Sequence, residues 1–207
     1  MPGILISREP VTGNVASVLT PTYPIRTARL VLRPFTQTDL DELHAFQSLP
    51  EVARYLYWEA RSRQETADAL EKRIAGARIT TEGQTLALAV ERTDTGALIG
   101  DLTLCWLSAE HRRGEIGFVF HPDHHGHGYA QEAAEALLLL AFRDLGLRRA
   151  VGHCDARNTA SAALMRRLGM TLDARLRENQ FFKGDWTDEL VYAILEREWA
   201  AGRGTPA

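Results

Sequence analysis

The sequence predicts one α/β domain built on a mixed β-sheet. Short β-branched and aromatic runs, typical of strands, alternate along the chain with longer stretches whose apolar residues recur every three or four positions, as in helices. The resulting order is β, α, α, β, β, β, α, β, α, β, β, with no internal repeat. Such an order is typical of a single domain in which helices cover a sheet.

The composition indicates an ordinary globular domain and argues against two classes of partner. The 207 residues are 45% apolar and 25% charged, and the formal net charge is −3. This charge gives no electrostatic basis for non-specific nucleic-acid binding. No apolar run reaches membrane-spanning length, and the N-terminus lacks the apolar core of a signal peptide. We therefore expect a cytoplasmic protein with no nucleic-acid or membrane partner.

The ends of the chain differ from its middle. Residues 1–25 are rich in Pro, Thr, Ser and Gly and show weak periodicity, so we expect an N-terminal tail or a loosely docked arm. Residues 26–198 form the predicted domain, and residues 199–207 form a C-terminal tail. The oligomeric state stays open; in a homodimer, the C-terminal strands or the tail would supply the contact.

The first predicted strand and helix follow the tail. Residues 30–33 alternate as in a strand, which Pro34 ends. Thr38 and Asp39 cap a helix with an apolar stripe, and we expect Pro50 to end that region.

A dense aromatic patch follows at residues 52–58. Tyr55, Tyr57 and Trp58 belong to it, and two interpretations remain open. They pack in the core, or they form a wall of the pocket for an acceptor substrate.

A second helix and three strands come next. Residues 64–78 have one apolar and one charged side, as in a surface helix. Residues 85–90, 97–107 and 112–120 are strand-like and are joined by short turns. Short connections favour an antiparallel meander.

The third of these strands leads into a glycine-rich turn and then a helix. Pro122 stops the strand, Gly126 and Gly128 form the turn, and helical spacing begins at Ala130. The first turn of a helix has backbone N–H groups without internal partners, and the helix dipole adds positive charge there. Glycines let a ligand approach the backbone closely. This segment therefore predicts an anion site, most naturally for a phosphate.

The remainder of the domain contains a strand, a helix and a hairpin. Residues 149–154 are strand-like, and Asn158 begins a helix that closes at Gly169. Two strand-like runs, 172–182 and 188–195, flank a predicted turn.

The glycine turn resembles a known cofactor loop. It reads His125-x-x-Gly128-x-Ala130, similar to the Q/R-x-x-G-x-G/A pyrophosphate loop of the GCN5-related N-acetyltransferase (GNAT) superfamily, with His125 in place of Gln or Arg. The segment from Asn158 through Ser161 to Gly169 is similar to the N-x-x-S…LGF motif of that superfamily. Residues 27–35 and 177–192 look like the ends of its RimJ/RimL branch, which includes enzymes that acetylate the N-terminal amine of ribosomal proteins.

The resemblance spans residues 26–198 and implies both a fold and a function. The fold is the GNAT α/β fold, a mixed central sheet of about seven strands flanked by four helices. The function is direct transfer of an acetyl group from acetyl-CoA to a primary amine of a protein N-terminus, an amino acid or a small molecule. A noncatalytic acyl-CoA sensor on the same fold is the alternative. The residues implied to hold acetyl-CoA are Phe118, Val119, Phe120, His125, Gly126, His127, Gly128, Tyr129, Ala130 and Asn158.

Three residues are candidates for the chemistry. Glu115 is the first candidate for the base that takes the proton of the amine, because it starts the strand leading into the loop and faces the same side as Gly117. The alternative is a solvated carboxylate beside basic neighbours. Asp173 is the second candidate base. Ser161 is the implied hydrogen-bond partner of the leaving sulfur, or else a surface hydroxyl, while Asn158 also fits a helix cap.

Two further groups of residues receive structural interpretations. The histidines cluster in a turn rather than on rigid elements, so we expect polar contacts beside phosphates and no metal. They are His121, His124, His125 and His127. Cys105 and Cys154 sit in apolar strand-like runs, which favours small buried hydrophobes over a nucleophile or a disulfide.

Overall fold

The computed structural model of the protein describes residues 18–202; residues 1–17 and 203–207 lie outside the described range. The described chain forms one eight-stranded sheet in the order β1-β2-β3-β4-β5-β6-β8-β7. Its strands are β1 (Ile25–Arg26), β2 (Leu30–Arg33), β3 (Thr85–Arg92), β4 (Leu98–Ser108), β5 (Arg113–Phe120), β6 (Arg149–Asp155), β7 (Thr171–Phe182) and β8 (Asp185–Leu195). Its helices are α1 (Leu40–Gln47), α2 (Pro50–Ala53), α3 (Arg63–Ala75), α4 (Tyr129–Leu139), α5 (Thr159–Arg167) and α6 (Glu196–Gly202).

The predicted mixed α/β fold is confirmed, with more elements than expected. Among residues 18–202 there are eight strands and six α-helices rather than about seven and four. The additional elements are the two-residue β1, the four-residue α2 and α6. The expectation that Pro50 ends the helical region is wrong, because Pro50 begins α2. Proline fits the first turn of a helix, where its missing N–H would have had no partner.

Within the described sheet, one pair of neighbouring strands, β5 and β6, runs parallel, and the other neighbouring strands run antiparallel. The strands β3, β4 and β5 form the predicted antiparallel meander. The β6, β8 and β7 strands form a second antiparallel group. Only β5 and β6 join the two groups, through three parallel pairs from Arg113 to Glu115.

Helices cover both faces of the sheet. On one face, α4 and α5 pack over the larger core, where Leu137 of α4 and Met165 of α5 are fully buried. On the other face, α1 and α3 pack through a smaller cluster that includes Phe46 and Leu70. Neighbouring positions on β3 divide between the two cores, as the two-residue period of a strand requires.

The described parts of both predicted tails lie against the domain. Leu19 is buried and its N–H and C=O bond those of Ile79, while the Tyr23 hydroxyl donates to the carbonyl of Ala77 at 2.8 Å. At the other end, Trp199 of α6 packs against Phe142, with ring centroids 5.4 Å apart. The predicted tail boundaries therefore fall within packed segments, and the rest of each tail lies outside the described residues. None of the described helices has the length and apolar character to span a membrane.

Candidate active site

The centre of the candidate site is a wedge where β5 and β6 separate. The ladder between these strands ends at the Glu115–Val151 pair, although β5 continues to Phe120 and β6 to Asp155. In β5, the N–H of His121 just beyond the strand donates to Ile99 of β4 at 2.9 Å. Successive N–H groups point to opposite edges of a strand. The amides of Phe118 and Phe120 therefore point toward the wedge, where they are suited to bind a carbonyl oxygen or an oxyanion.

The predicted glycine turn lies at the wide end of this wedge. Gly126 and Gly128 have left-handed backbones, with φ values of 79° and 80°, and Gly128 is the N-cap of α4. Within the described chain, the consecutive N–H groups from Gly126 to Gln131 find no protein acceptor. Such a row of amides at a helix N-terminus can bind an anion. The sequence prediction of strand, glycine turn and helix is confirmed in this segment.

Arg29 fixes the turn from the opposite end of the sequence. Its side chain contacts Glu132 in the first turn of α4 at 2.7 Å and donates to the carbonyl of His127 at 2.9 Å. Its guanidinium also lies 4.7 Å from the ring centroid of Tyr129. Sequence reasoning missed this residue, because the contact joins positions 103 residues apart. Arg29 therefore anchors the turn, through an ion pair and a backbone contact, beside the unpaired amides.

Glu132 holds the segment before β2 against α4. It accepts hydrogen bonds from the Thr27 hydroxyl at 2.6 Å and from the Arg29 amide at 2.7 Å. Burial opposes ionisation of this carboxyl group, but the Thr27 and Arg29 bonds outweigh it and lower the pKa of Glu132. Glu132 is therefore a structural carboxylate, ionised at neutral pH.

The turn histidines make several different contacts. His125, which replaces the Gln or Arg of the resembling loop, places Nε2 3.2 Å from the carbonyl of Phe120. The ring of His127 stacks on that of Tyr129 at 5.7 Å. Burial, together with His121 and Arg92, lowers the pKa of His124. Among residues 18–202, no group of three or more His, Cys, Asp or Glu side chains is placed to hold a metal ion.

The start of α5 lies on the β6 side of the wedge. The Asn158 side chain caps the helix by accepting from the Ser161 N–H at 3.0 Å. Ser161 lies beside Cys154, whose pKa burial raises to about 11, with the Ser161 hydrogen bond acting in the opposite direction. Cys154 is thus a protonated thiol at neutral pH. It is buried as predicted, whereas Cys105 is partly exposed, and both are free cysteines.

Glu115 lies on the face of the sheet that α1 and α3 cover. It is partly exposed and pairs with Cys105 of β4 and Val151 of β6 in the last row before the strands part. Two residues further along β5, Gly117 occupies the same face. A Cβ atom there would lie 2.5 Å from Oγ1 of Thr103. The bare glycine therefore leaves the mouth of the wedge open beside Glu115.

The predicted aromatic residues Tyr55, Tyr57 and Trp58 lie in the segment between α2 and α3. Tyr57 donates from its hydroxyl to Oε1 of Glu189 at 3.0 Å and packs edge-on against Phe182 at 5.4 Å. Trp58 lies under the guanidinium of Arg61, 4.3 Å from its ring centroid.

The guanidinium of Arg54 lies 5.2 Å from the ring centroid of Tyr55. Both residues line an open cavity of about 180 Å³ between the segment that follows α2 and the turn that joins β7 to β8. The patch thus joins the segment between α2 and α3 to the hairpin, rather than filling the main core.

Sequence reasoning also missed a polar cluster around Glu189. This glutamate is 7% exposed, and its Oε1 lies 3.3 Å from Nδ1 of His153 in addition to its bond from Tyr57. Asn179 donates to its other oxygen at 2.8 Å. Because side chains alternate along β6, His153 points to the opposite face of the sheet from Cys154. The pairing of β6 with β8 then brings Glu189 beside His153, which the sequence alone does not reveal.

Asp173 does not join Glu115 and Ser161. It is exposed in a bulge of β7, where it forms a 2.7 Å ion pair with Arg149. Two strands, β8 and β6, separate β7 from β5. With neighbouring strands about 4.8 Å apart, the two candidate bases lie on strands roughly 14 Å apart, and Asp173 stays the second candidate.

Comparison with known proteins finds related sequences and related folds. The family model described as "Acetyltransferase (GNAT) domain" matches residues 29–171. The uncharacterized N-acetyltransferase YnaD of Bacillus subtilis is 33% identical over 181 residues, which cover 84% of this chain and 98% of YnaD.

Solved structures show the same fold. A probable GNAT acetyltransferase from Chromobacterium violaceum superposes with a TM-score of 0.78 at 28% identity, covering 96% of this chain and 99% of that one. The spermidine N-acetyltransferase of Vibrio cholerae, crystallised with CoA and spermine, has a TM-score of 0.71 at 24% identity, covering 84% of this chain and 99% of that one.

Proposed function

Because this chain belongs to the GNAT acetyltransferase family, we propose that it transfers the acetyl group of acetyl-CoA directly to a primary amine within a ternary complex. The observation that carries the proposal is the row of unpaired amides from Gly126 to Gln131 beside the open wedge. The amides suit the pyrophosphate, and the wedge suits the arm that ends in the thioester. The V. cholerae relative that binds CoA has the same fold.

The residues proposed to hold acetyl-CoA are those around this row. The amides of Phe118 and Phe120 face the wedge, and that of Phe118 is the proposed donor to the oxyanion that forms on the thioester carbonyl. His125 supports the turn through the Phe120 carbonyl rather than by a direct phosphate contact. Asn158 keeps Ser161 in place through its cap. The remaining proposed contacts come from Val119, Gly126, His127, Gly128, Tyr129 and Ala130.

Direct transfer also fits the chemistry of the nearby cysteine. An acyl-enzyme would need a thiolate beside the thioester, but the pKa of Cys154 is raised to about 11 by burial. Ser161 next to it is the proposed hydrogen-bond donor to the departing CoA sulfur. The attacking amine must lose a proton, since α-amines have pKa values near 8 and lysines about 10.4. Glu115 is the proposed group that attracts the ammonium ion on the α1–α3 face.

The acceptor is proposed to be a cationic amine. Two carboxylates, Glu115 and Glu189, lie on the proposed acceptor face, and the aromatic rings of Tyr55, Tyr57 and Trp58 form its wall. The motifs at both ends of the domain favour the RimJ/RimL-like branch and hence a protein N-terminus. The spermine bound by the V. cholerae relative favours a polyamine instead.

An acetyl-transfer assay tests the proposal. Purified protein is mixed with acetyl-CoA and spermidine, a set of free amino acids or short peptides with free N-termini, and thiol release is followed. We expect release with at least one amine, intersecting initial-rate patterns and a kcat lowered about tenfold or more by Glu115→Gln. Acetyl-CoA binding without transfer to any amine, and unchanged in the Glu115→Gln variant, would instead identify an acyl-CoA sensor.

A further inference from the structure

We propose that His153, held by Glu189, accepts the proton that the acceptor amine loses. The inference rests on the proposed function and names a catalytic group that neither the motifs nor the family resemblance pointed to. It depends on three observations: the place of His153 at the wedge, its contact with a buried carboxylate and the exposure of its ring.

The register of the sheet places His153 at the mouth of the wedge. The last parallel pair joins Glu115 to Val151. Extending that register by two residues sets His153 of β6 opposite Gly117 of β5, in the first row on that face after the strands part. Gly117 has no side chain to fill this row. The imidazole therefore borders the gap from the face on which an amine would approach the amide of Phe118.

Glu189 gives the imidazole the orientation and electrostatic support that a base requires. Its side chain is 10% exposed, and its Oε1 lies 3.3 Å from Nδ1 of His153. Hydrogen bonds from Tyr57 at 3.0 Å and Asn179 at 2.8 Å fix the carboxylate from two other elements. A carboxylate beside Nδ1 favours the tautomer with the proton on that nitrogen, which leaves the lone pair on Nε2.

Exposure separates the two members of the pair. The side chain of His153 is 31% exposed, whereas that of Glu189 is 10% exposed. A substrate can therefore reach the histidine but not the glutamate behind it. In this arrangement Glu189 is a positioning residue, and His153 is the group that contacts the amine.

The proton balance of the step is simple. The ammonium form of the acceptor gives one proton to Nε2 of His153 and becomes a neutral amine. The amine nitrogen forms a bond to the thioester carbon, the carbon–sulfur bond breaks, and the CoA thiolate takes a proton from solvent through Ser161. The amide nitrogen loses its second proton to water, and the imidazolium is deprotonated by solvent before the next cycle.

Several titratable and charged groups face His153 from neighbouring elements. Glu189 approaches from β8, and Tyr57 from the segment after α2; burial and Glu189 raise the pKa of Tyr57, so it stays a neutral donor. Glu115 of β5 lies on the same face, as do Arg149 and Asp155 of β6. The last two are paired with Asp173 and Arg157 respectively. Glu189 is thus the charged group in direct contact with the ring.

The test is the pH dependence of catalysis in the full chain. With acetyl-CoA and whichever of the tested amines is acetylated fastest, kcat/KM is measured from about pH 5.5 to 9.5 for the wild type, His153→Gln, Glu189→Gln and Glu115→Gln. We expect His153→Gln to lower kcat about 100-fold and to remove the acidic limb of the profile. Glu189→Gln is expected to lower kcat while leaving the KM for acetyl-CoA unchanged, because the imidazole loses the group that orients it. Acetyl-CoA affinity should stay within about twofold.

Two additional variants distinguish a base from a structural residue. His153→Ala should regain activity in added imidazole, which a purely structural role would not permit. His111→Gln, in the exposed turn between β4 and β5, is the matched control and should behave as wild type. The proposal is overturned if His153→Gln keeps the wild-type kcat and acidic limb while Glu115→Gln removes them. Failure of the wild type to release thiol with any amine would instead overturn the proposed function.

Discussion

Gly128 combines a backbone requirement with a position at the proposed phosphate site. Its φ of 80° is in the left-handed region, and a Cβ atom would lie 3.4 Å from Nη2 of Arg29. Side chains are strained at such φ values by roughly 1–2 kcal/mol. A substitution there would therefore disturb both the direction of the amides and the arginine that supports them.

We expect Gly128→Ala to weaken acetyl-CoA binding about tenfold, which corresponds to about 1.4 kcal/mol. Isothermal titration calorimetry measures the change. Gly83→Ala is the matched control, because Gly83 has a φ of 85° in a remote turn with no atom near the added methyl group. The control should lose stability to a similar degree and bind acetyl-CoA normally; equal affinities for all three proteins would contradict the proposed role of the turn.

Cys154 supplies a second residue-scale prediction. Because burial raises the pKa of its thiol to about 11, almost no thiolate is present at neutral pH. We expect iodoacetamide at pH 7.5 to modify Cys154 much more slowly in the folded protein than in guanidinium. Peptide mass spectrometry after timed quenching reports the site. Rapid alkylation of folded Cys154 would show that the thiol is ionised and would reopen the acyl-enzyme route.

At the scale of elements, the carboxylate of Glu132 connects helix α4 with the segment that precedes β2. Glu132 in α4 ties the segment before β2 to the helix through Thr27 and Arg29. Its pKa is lowered in the folded protein, so its contribution to stability is complete above the unfolded pKa and disappears as pH falls through the folded value.

We expect Glu132→Gln to lower the free energy of unfolding by about 2 kcal/mol at pH 7. The deficit should shrink as the pH falls below the ordinary glutamate pKa of about 4.5 and disappear once the pH has passed through the lowered folded pKa, because the wild type then loses the same charge. Urea unfolding at several pH values measures it. Glu110→Gln, in an exposed turn, controls for the general effect of removing a charge. A pH-independent deficit would indicate a packing defect instead.

Elements with local signals could be predicted from the sequence, and those defined by distant contacts could not. The turn of Gly126 and Gly128 between strand and helix follows from residue types alone. The roles of Arg29 and Glu189 depend on partners far away in sequence, which no periodicity reveals. Pro50 was misread because the same residue can end one helix or begin the next.

For the whole molecule, the short ladder that joins the two antiparallel groups of strands is also the centre of the proposed site. Three parallel pairs connect the meander to the C-terminal strands. A ligand in the wedge would contact both groups of strands, whereas the strands within each group are already joined by longer ladders. Binding should therefore stabilise the short ladder more than the remainder of the sheet.

We expect acetyl-CoA to slow hydrogen exchange selectively at the amides of residues 116–120 and 126–131. Saturation at about 100 times Kd should add about 2.7 kcal/mol to the free energy of unfolding, which raises Tm by several degrees. Peptide-resolved hydrogen exchange with and without acetyl-CoA measures the pattern, and free CoA serves as the comparison. Protection confined to β7 and β8 would place the ligand elsewhere.

The close approach of Gly117 to Thr103 restricts how the proposed preference for an acceptor amine can change by mutation. Any larger residue there would collide with Thr103, so the floor of the proposed acceptor site has no room to vary. The enclosing side chains, Tyr55 to Trp58 and the hairpin of β7 and β8, face fewer such restrictions. New substrate preferences in this lineage should therefore arise by remodelling the rim, while the floor stays fixed.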